Sequence, residues 1–106
     1  MTTELSVVGF VSLAAILLGV GLFGILTRRN FILLLISVEI AMNAAVLNFI
    51  SFAAFSGTTA GLSGQSIAIV VIGLAATEVA VGLAIVLALY RQRGSTNVAE
   101  ASSLRL

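Results

Sequence analysis

Three long apolar runs, set apart by two short polar stretches and closed by a polar tail, divide the chain. The first run covers residues 5–26, the second residues 31–55, and the third residues 67–90. The third reads IAIVVIGLAATEVAVGLAIVLALY, with Glu78 near its middle as the one charge. Read as a helix rising 1.5 Å per residue it is roughly 36 Å long, enough to cross a bilayer core with some tilt. The other two runs are of similar length and predict the same element.

Composition turns that pattern into a class. The 106 residues are 60% hydrophobic and 8% charged, with mean hydropathy +1.26. A soluble domain of this length carries roughly a quarter charged residues. So few charges cannot build a water-facing surface, and the expectation is an all-α integral membrane protein, one membrane domain over residues 1–106. The start of the chain lacks the basic n-region and small-residue cleavage site of a secretory signal.

The connections set the topology. Thr27-Arg28-Arg29-Asn30 is a tight turn, which makes the first two helices antiparallel neighbours. Residues 56–66, SGTTAGLSGQS, read as an uncharged loop. Residues 91–106 form a polar tail, expected to be mobile or laid on a partner. Positive charge falls only at Arg28, Arg29, Arg91, Arg93 and Arg105. The positive-inside rule then places the first loop and the C-terminus in the cytoplasm and the N-terminus outside.

The same inventory excludes several chemistries. With no Cys there are no disulfides, thiolate metal sites or iron–sulfur ligation, and with no His the commonest metal ligand is missing. No metal site is expected. Basic residues are not interleaved with aromatics, which argues against a nucleic-acid partner. Gly19-Val20-Gly21-Leu22-Phe23-Gly24 matches the dinucleotide fingerprint but lies late in an apolar run, without the preceding strand that fingerprint needs. There it reads as small residues that let a neighbouring helix approach closely.

Candidate chemistry rests on two carboxylates. Glu78 lies about 17 Å from either end of its run, where an ionisable residue costs about 2.5–3.5 kcal/mol to insert. Glu39 lies eight residues into the second run, roughly 12 Å from its start; Glu78 is roughly 18 Å from the same side of the membrane. Two acids on different helices at similar depth suit a proton relay, the usual use of intramembrane carboxylates. The competing reading is a pair of protonated hydrogen-bond donors that glue helices together. Asn43 shares a face with Glu39 as a supporting polar group, whereas Asn48 lies 180° away and faces a different neighbour. Beside Glu78, small Ala75 and Gly82 leave room for another helix or for water. Ala76, Ala80, Ala84 and Ala88 form a stripe suited to close packing, expected against another subunit. Arg28 and Arg29 either fix topology only, or set the potential at a cytosolic proton entrance or hold a loop of a partner. Three helices cannot wall a polar pathway off from lipid, so the chain is expected to be a component of a larger membrane complex and not a stand-alone monomer.

The segments TRRNFILLLISVEIAMNAAVLNF and AIVVIGLAATEVAVGLAIVLALYRQR resemble the small three-helix subunit family (subunit K in bacterial lettering) of proton-pumping NADH:quinone oxidoreductase, respiratory complex I. The likeness covers about residues 9–93. It is carried by Arg29-Asn30 before the second run, by V-E-I-x-x-N-A around Glu39, and by A-x-E-x-x-x-G-L-A-I around Glu78. The resemblance implies that Glu39 and Glu78 are the family's membrane glutamates and that Arg28 and Arg29 form its basic first loop. It implies a proton-conducting segment packed between antiporter-like subunits and the quinone-binding end of the membrane arm. It also implies that NADH or a related donor, FMN, iron–sulfur clusters and quinone are handled by partner chains. The expected location is the plasma membrane of a prokaryote, or an energy-transducing organelle or thylakoid membrane.

Similar subunits occur in ferredoxin-linked and coenzyme F420-linked complexes and in multisubunit cation/proton antiporters. The antiporter relatives generally lack the third-helix glutamate, so Glu78 favours the quinone-reductase side. A small multidrug exporter would have four spans and aromatic residues for cationic drugs, and a rotary-ring subunit would be a two-helix hairpin with one acid. A purely structural assembly subunit differs only in that its glutamates would not matter.

Overall fold

The computed structural model describes residues 2–57 and 60–101. Their elements are α1 (Thr2–Thr27), α2 (Phe31–Phe55), α3 (Ala60–Arg93) and the short α4 (Val98–Ala101). The first three are long and apolar enough to span a membrane, and no strand occurs among the described residues. The all-α membrane architecture read from the sequence is therefore the one observed.

The helices lie with α2 in the middle, packed on α1 along one face and on α3 along another. The α1 seam uses Ala14, Gly21 and Gly24 with Ser37, Ala41 and Ala44. On the other side Gly61, Gly64, Ala68, Ala75, Gly82 and Val86 run down α3 at three-, four- and seven-residue spacing, against Leu35, Val46 and Ala53 of α2. Lipid offers no hydrophobic force between helices, so association depends on how closely backbones approach, and small residues permit that. No large side chain is fully buried among the described residues. Large apolar groups point outward instead, with Leu26 84% and Leu5 78% exposed, as a lipid-facing surface requires.

Hydroxyls inside the helices satisfy themselves on their own backbone. Ser37 Oγ donates to Leu33 O at 2.8 Å, Ser51 Oγ to Asn48 O at 2.9 Å, and Thr77 Oγ1 to Leu74 O at 2.7 Å. Without water in the hydrocarbon layer, such bonds are how polar groups avoid being stranded.

Two segments differ from the sequence reading. The stretch 56–66 is not a loop throughout, because α3 begins at Ala60. Its glycines read as loop residues by composition, but they are contact residues. A Cβ on Gly61 would lie 2.7 Å from Ala53 O, and one on Gly64 2.7 Å from Ala53 Cβ. The first turns of α3 can lie against the end of α2 only because those side chains are absent. The chain turns between the helices at Gly57, φ +63.

The tail is the second difference. As far as residue 98 it is tied to the chain's own first loop, neither loose nor reserved for a partner. Gly94, φ +70, ends α3 with its N–H donating to Tyr90 O at 2.7 Å, the left-handed C-terminal cap that glycine favours. The chain then folds back, and Asn97 pairs with Asn30 in an antiparallel bridge. Arg28 and Arg29 thus share one end of the molecule with Arg91 and Arg93. Arg105 lies outside the described residues.

Candidate functional site

Glu39 is brought to the α2–α3 seam by its place on α2. It lies four residues after Leu35 and three before Met42, and Leu35 meets Gly82 of α3. Glu78 sits just beside the α3 stripe of buried Ala75 and half-buried Val79 and Gly82. Glu39 is half-buried and Glu78 exposed. Both line one groove of about 240 Å³, together with Val38, Met42, Val81 and Ile85. On the other side of the seam a second groove of about 290 Å³ is lined by Ile32, Ile36, Ile40 and Leu83. Glu39, Leu35 and Val79 border both grooves, so Glu39 stands at the divide between two faces and Glu78 on one of them.

Neither carboxylate has a hydrogen bond or ion pair within the described residues, and every other side chain in their shared groove is apolar. A further groove of about 180 Å³ shares Leu35, Val38, Gly82 and Ile85 with the first and extends it to Phe31 and Leu34. It leads from the acids along the seam toward the end where α2 begins.

The space beside Glu78 that Ala75 and Gly82 were expected to leave for another helix is taken by α2 of the same chain. Ala75 is buried, and a Cβ on Gly82 would lie 2.7 Å from Leu35 Cδ1. The outward stripe is the other one: Ala76, Ala80, Ala84 and Ala88 are all exposed. Asn43 is also exposed and lines none of these grooves. Asn48, one heptad beyond Ala41, falls on the α1 side of α2, with its Oδ1 buried and without a partner. Placed there it cannot serve Glu39.

Arg28 and Arg29 are exposed at the cap, away from the two acids, beside a cavity of about 340 Å³. Sequence reading missed the residues that hold this end together. Asn30 caps α2 from φ −103, ψ 128, its Oδ1 accepting from Ile32 N at 2.9 Å and Leu33 N at 3.4 Å. Its Nδ2 donates to Thr96 Oγ1 at 2.8 Å. The signals were present: an Asn directly before an apolar run is a helix-start signal, and a Gly directly after Arg91-Gln92-Arg93 is a helix-stop signal. No group of three or more potential metal-ligating acids, His or Cys occurs among the described residues.

The family model for NADH-ubiquinone/plastoquinone oxidoreductase chain 4L matches residues 9–106. The chain is 56% identical over 88 residues to NADH-quinone oxidoreductase subunit K of Anaeromyxobacter sp. (strain K), covering 83% of this chain and 86% of the relative. It is 47% identical over 96 residues to subunit K 1 of Syntrophobacter fumaroxidans, covering 91% and 93%. With the subunit K of Bacillus anthracis it shares 44% identity over 96 residues, 91% of each chain.

Proposed function

The chain belongs to the NADH-ubiquinone/plastoquinone oxidoreductase chain 4L family, and on that premise we propose that it is a membrane-arm subunit of a proton-translocating NADH:quinone oxidoreductase, contributing Glu39 and Glu78 to the proton path. The observation that carries this reading is that the two acids line one groove, from two helices, with no polar partner among the described residues. Ionisable residues within membrane-spanning helices typically mark proton relays where they face a cavity that water can enter. A neighbouring subunit that alternately wets and dries the groove would load and unload the pair. Glu39, which borders grooves on both sides of the seam, is suited to pass a proton from one face of α2–α3 to the other.

In this reading quinone chemistry in partner chains drives the alternation, and NADH, FMN, iron–sulfur clusters and quinone are bound there. Arg28 and Arg29 act at the cytosolic side, on protons or on contacts, and Asn43 supports the path from outside the groove. Antiporter-like and quinone-end subunits supply the missing walls. The bacterial relatives support a plasma-membrane location with the arginine end in the cytoplasm. The test is Glu39→Gln and Glu78→Gln, made singly in the assembled complex. Each is expected to lower the protons moved per electron without loss of assembly. Normal stoichiometry in both fully assembled variants would leave only a scaffolding role.

A further inference from the structure

The arginine end of the molecule is a built pocket. Val98 N donates to Arg29 O at 2.7 Å, Phe31 N to Thr96 O at 2.9 Å, and Asn30 Nδ2 to Thr96 Oγ1 at 2.8 Å. These bonds clasp the tail to the first loop. Between them lies a cavity of about 340 Å³ walled by Thr27, Arg28, Arg29, Ser95, Thr96 and Asn97. We propose that this pocket binds the phosphate of an anionic phospholipid headgroup.

Charge is the first reason. Two guanidinium groups face a lining that contains no carboxylate, and neither makes an ion pair within the described residues. A guanidinium presents several N–H donors in one plane, a geometry that matches the oxygens of a phosphate. The helix end itself is not the attractant. The first four N–H groups of α2 are already taken, by Thr96 O, by Asn30 Oδ1 twice, and by Asn30 O for Leu34. What remains to hold an anion is side chain.

Depth is the second reason, and it selects lipid over free phosphate. Thr27 is the last residue of one membrane-length helix and Phe31 the first of the next, so the pocket lies where headgroups lie. Its rim includes Leu33, and exposed Leu26 and Phe23 continue below it as an apolar surface for an acyl chain. Basic pockets between helices at this level are the recurrent setting for anionic headgroups. The site is separate from the two glutamates and stands whether or not they carry protons.

The experiment uses the purified, delipidated complex and phenylglyoxal, which modifies accessible arginines, with peptide mass spectrometry reading Arg28 and Arg29. Phosphatidylglycerol in mixed micelles is expected to slow modification of both several-fold. Phosphatidylcholine, or inorganic phosphate at the same concentration, is expected to leave it unchanged. Thr96→Val, which removes only the acceptor for Asn30 Nδ2, is expected to weaken the protection. Equal protection by phosphatidylcholine would overturn the proposal, as would equal protection by inorganic phosphate, which would make the pocket a free-phosphate site. So would arginines that are unreactive before any lipid is added, because a partner's acidic group would then already hold them. Undiminished protection in Thr96→Val would overturn it too, since the clasp would not be what builds the pocket.

Discussion

Gly21 to alanine should be among the costliest single-methyl changes in the chain. The added Cβ would lie 2.7 Å from Ala41 N, 2.8 Å from Ala41 Cβ and 2.9 Å from Ala41 Cα. Two of these atoms are backbone and the third is fixed to it, so no rotamer change relieves the clash and α1 must move away from α2. Overpacking of this kind costs about 1–3 kcal/mol. Alanine also recovers about 0.5–1 kcal/mol of helix propensity over glycine, which hides part of the cost. Gly19 supplies the control. It lies in the same helix, two residues away, and a Cβ there meets nothing within 4 Å. The propensity gain is common to both substitutions, so the difference between Gly21→Ala and Gly19→Ala isolates the steric term. That difference should be about 1–3 kcal/mol, roughly a 5- to 150-fold change in the helix-separation equilibrium. The chain has no cysteine, so dyes can be attached at Leu5→Cys and Phe52→Cys, which are 78% and 59% exposed near one end of the α1–α2 pair. Energy transfer followed through a dodecyl sulfate titration in mixed micelles reads the separation. Equal midpoints for the two variants would mean that the helices do not approach at Gly21 as described.

Two other glycines, on the α2–α3 seam, should behave oppositely when the same titration is read with dyes at Phe52→Cys and Leu62→Cys, 59% and 71% exposed on α2 and α3. Gly61→Ala meets Ala53 O at 2.7 Å, a backbone atom, and should lose about 1–3 kcal/mol. Gly82→Ala meets only the end of the Leu35 side chain, which can rotate at about 0.5–1.5 kcal/mol, leaving a net change near zero. Asn30→Ala removes the α2 cap, worth about 0.5–2 kcal/mol, and one strand of the clasp. Amide hydrogen exchange at Phe31 and Val98 should therefore quicken, and unchanged exchange at Val98 would show the tail held by something else.

What the sequence made legible was set by how local each signal is. Helix existence follows from run length and needs no tertiary knowledge, so all three spans were readable. The glutamates stand out because a carboxylate inside an apolar run conflicts with its surroundings. The Gly21 and Gly24 seam was also readable as close approach, once the dinucleotide reading had been set aside for want of a strand. The start of α3 was not. Gly, Ser and Thr favour turns in isolation, and only the approach of Ala53 shows that Gly61 and Gly64 are packed. The clasp was hidden for a related reason. It pairs Asn30 with residues 96–97 at the far end of the sequence, and neither side carries a pattern that names the other. Asn43 shows the limit of face arithmetic. It lies one turn from Glu39, about 40° further round the helix, yet is exposed and lines neither groove that borders Glu39.

Placing α2 between its neighbours, packed on both, has a consequence for the two acids. The α1 seam and the α3 seam together occupy opposite sides of α2, and Glu39 falls on the α3 side, half-covered by its own chain. Glu78 is on α3, whose main packing partner among the described residues is α2, and so stands at the outer edge of the shared groove. The surroundings of Glu39 are thus fixed largely by Leu35, Met42 and Val79, whereas those of Glu78 are set by whatever covers the groove from outside. A conformational change in a neighbouring subunit would act first on Glu78, and on Glu39 only through it or through the groove on the opposite side. The two Gln substitutions should then differ in kind under the proposed reading. Glu78→Gln should alter how pumping responds to the neighbour, whereas Glu39→Gln should interrupt transfer across the seam whatever the neighbour does. Pairing each with a substitution on the partner face that covers the groove separates the two. Coupling with the partner change is expected for Glu78→Gln and additivity for Glu39→Gln, and the reverse result would place the externally controlled station on α2 instead.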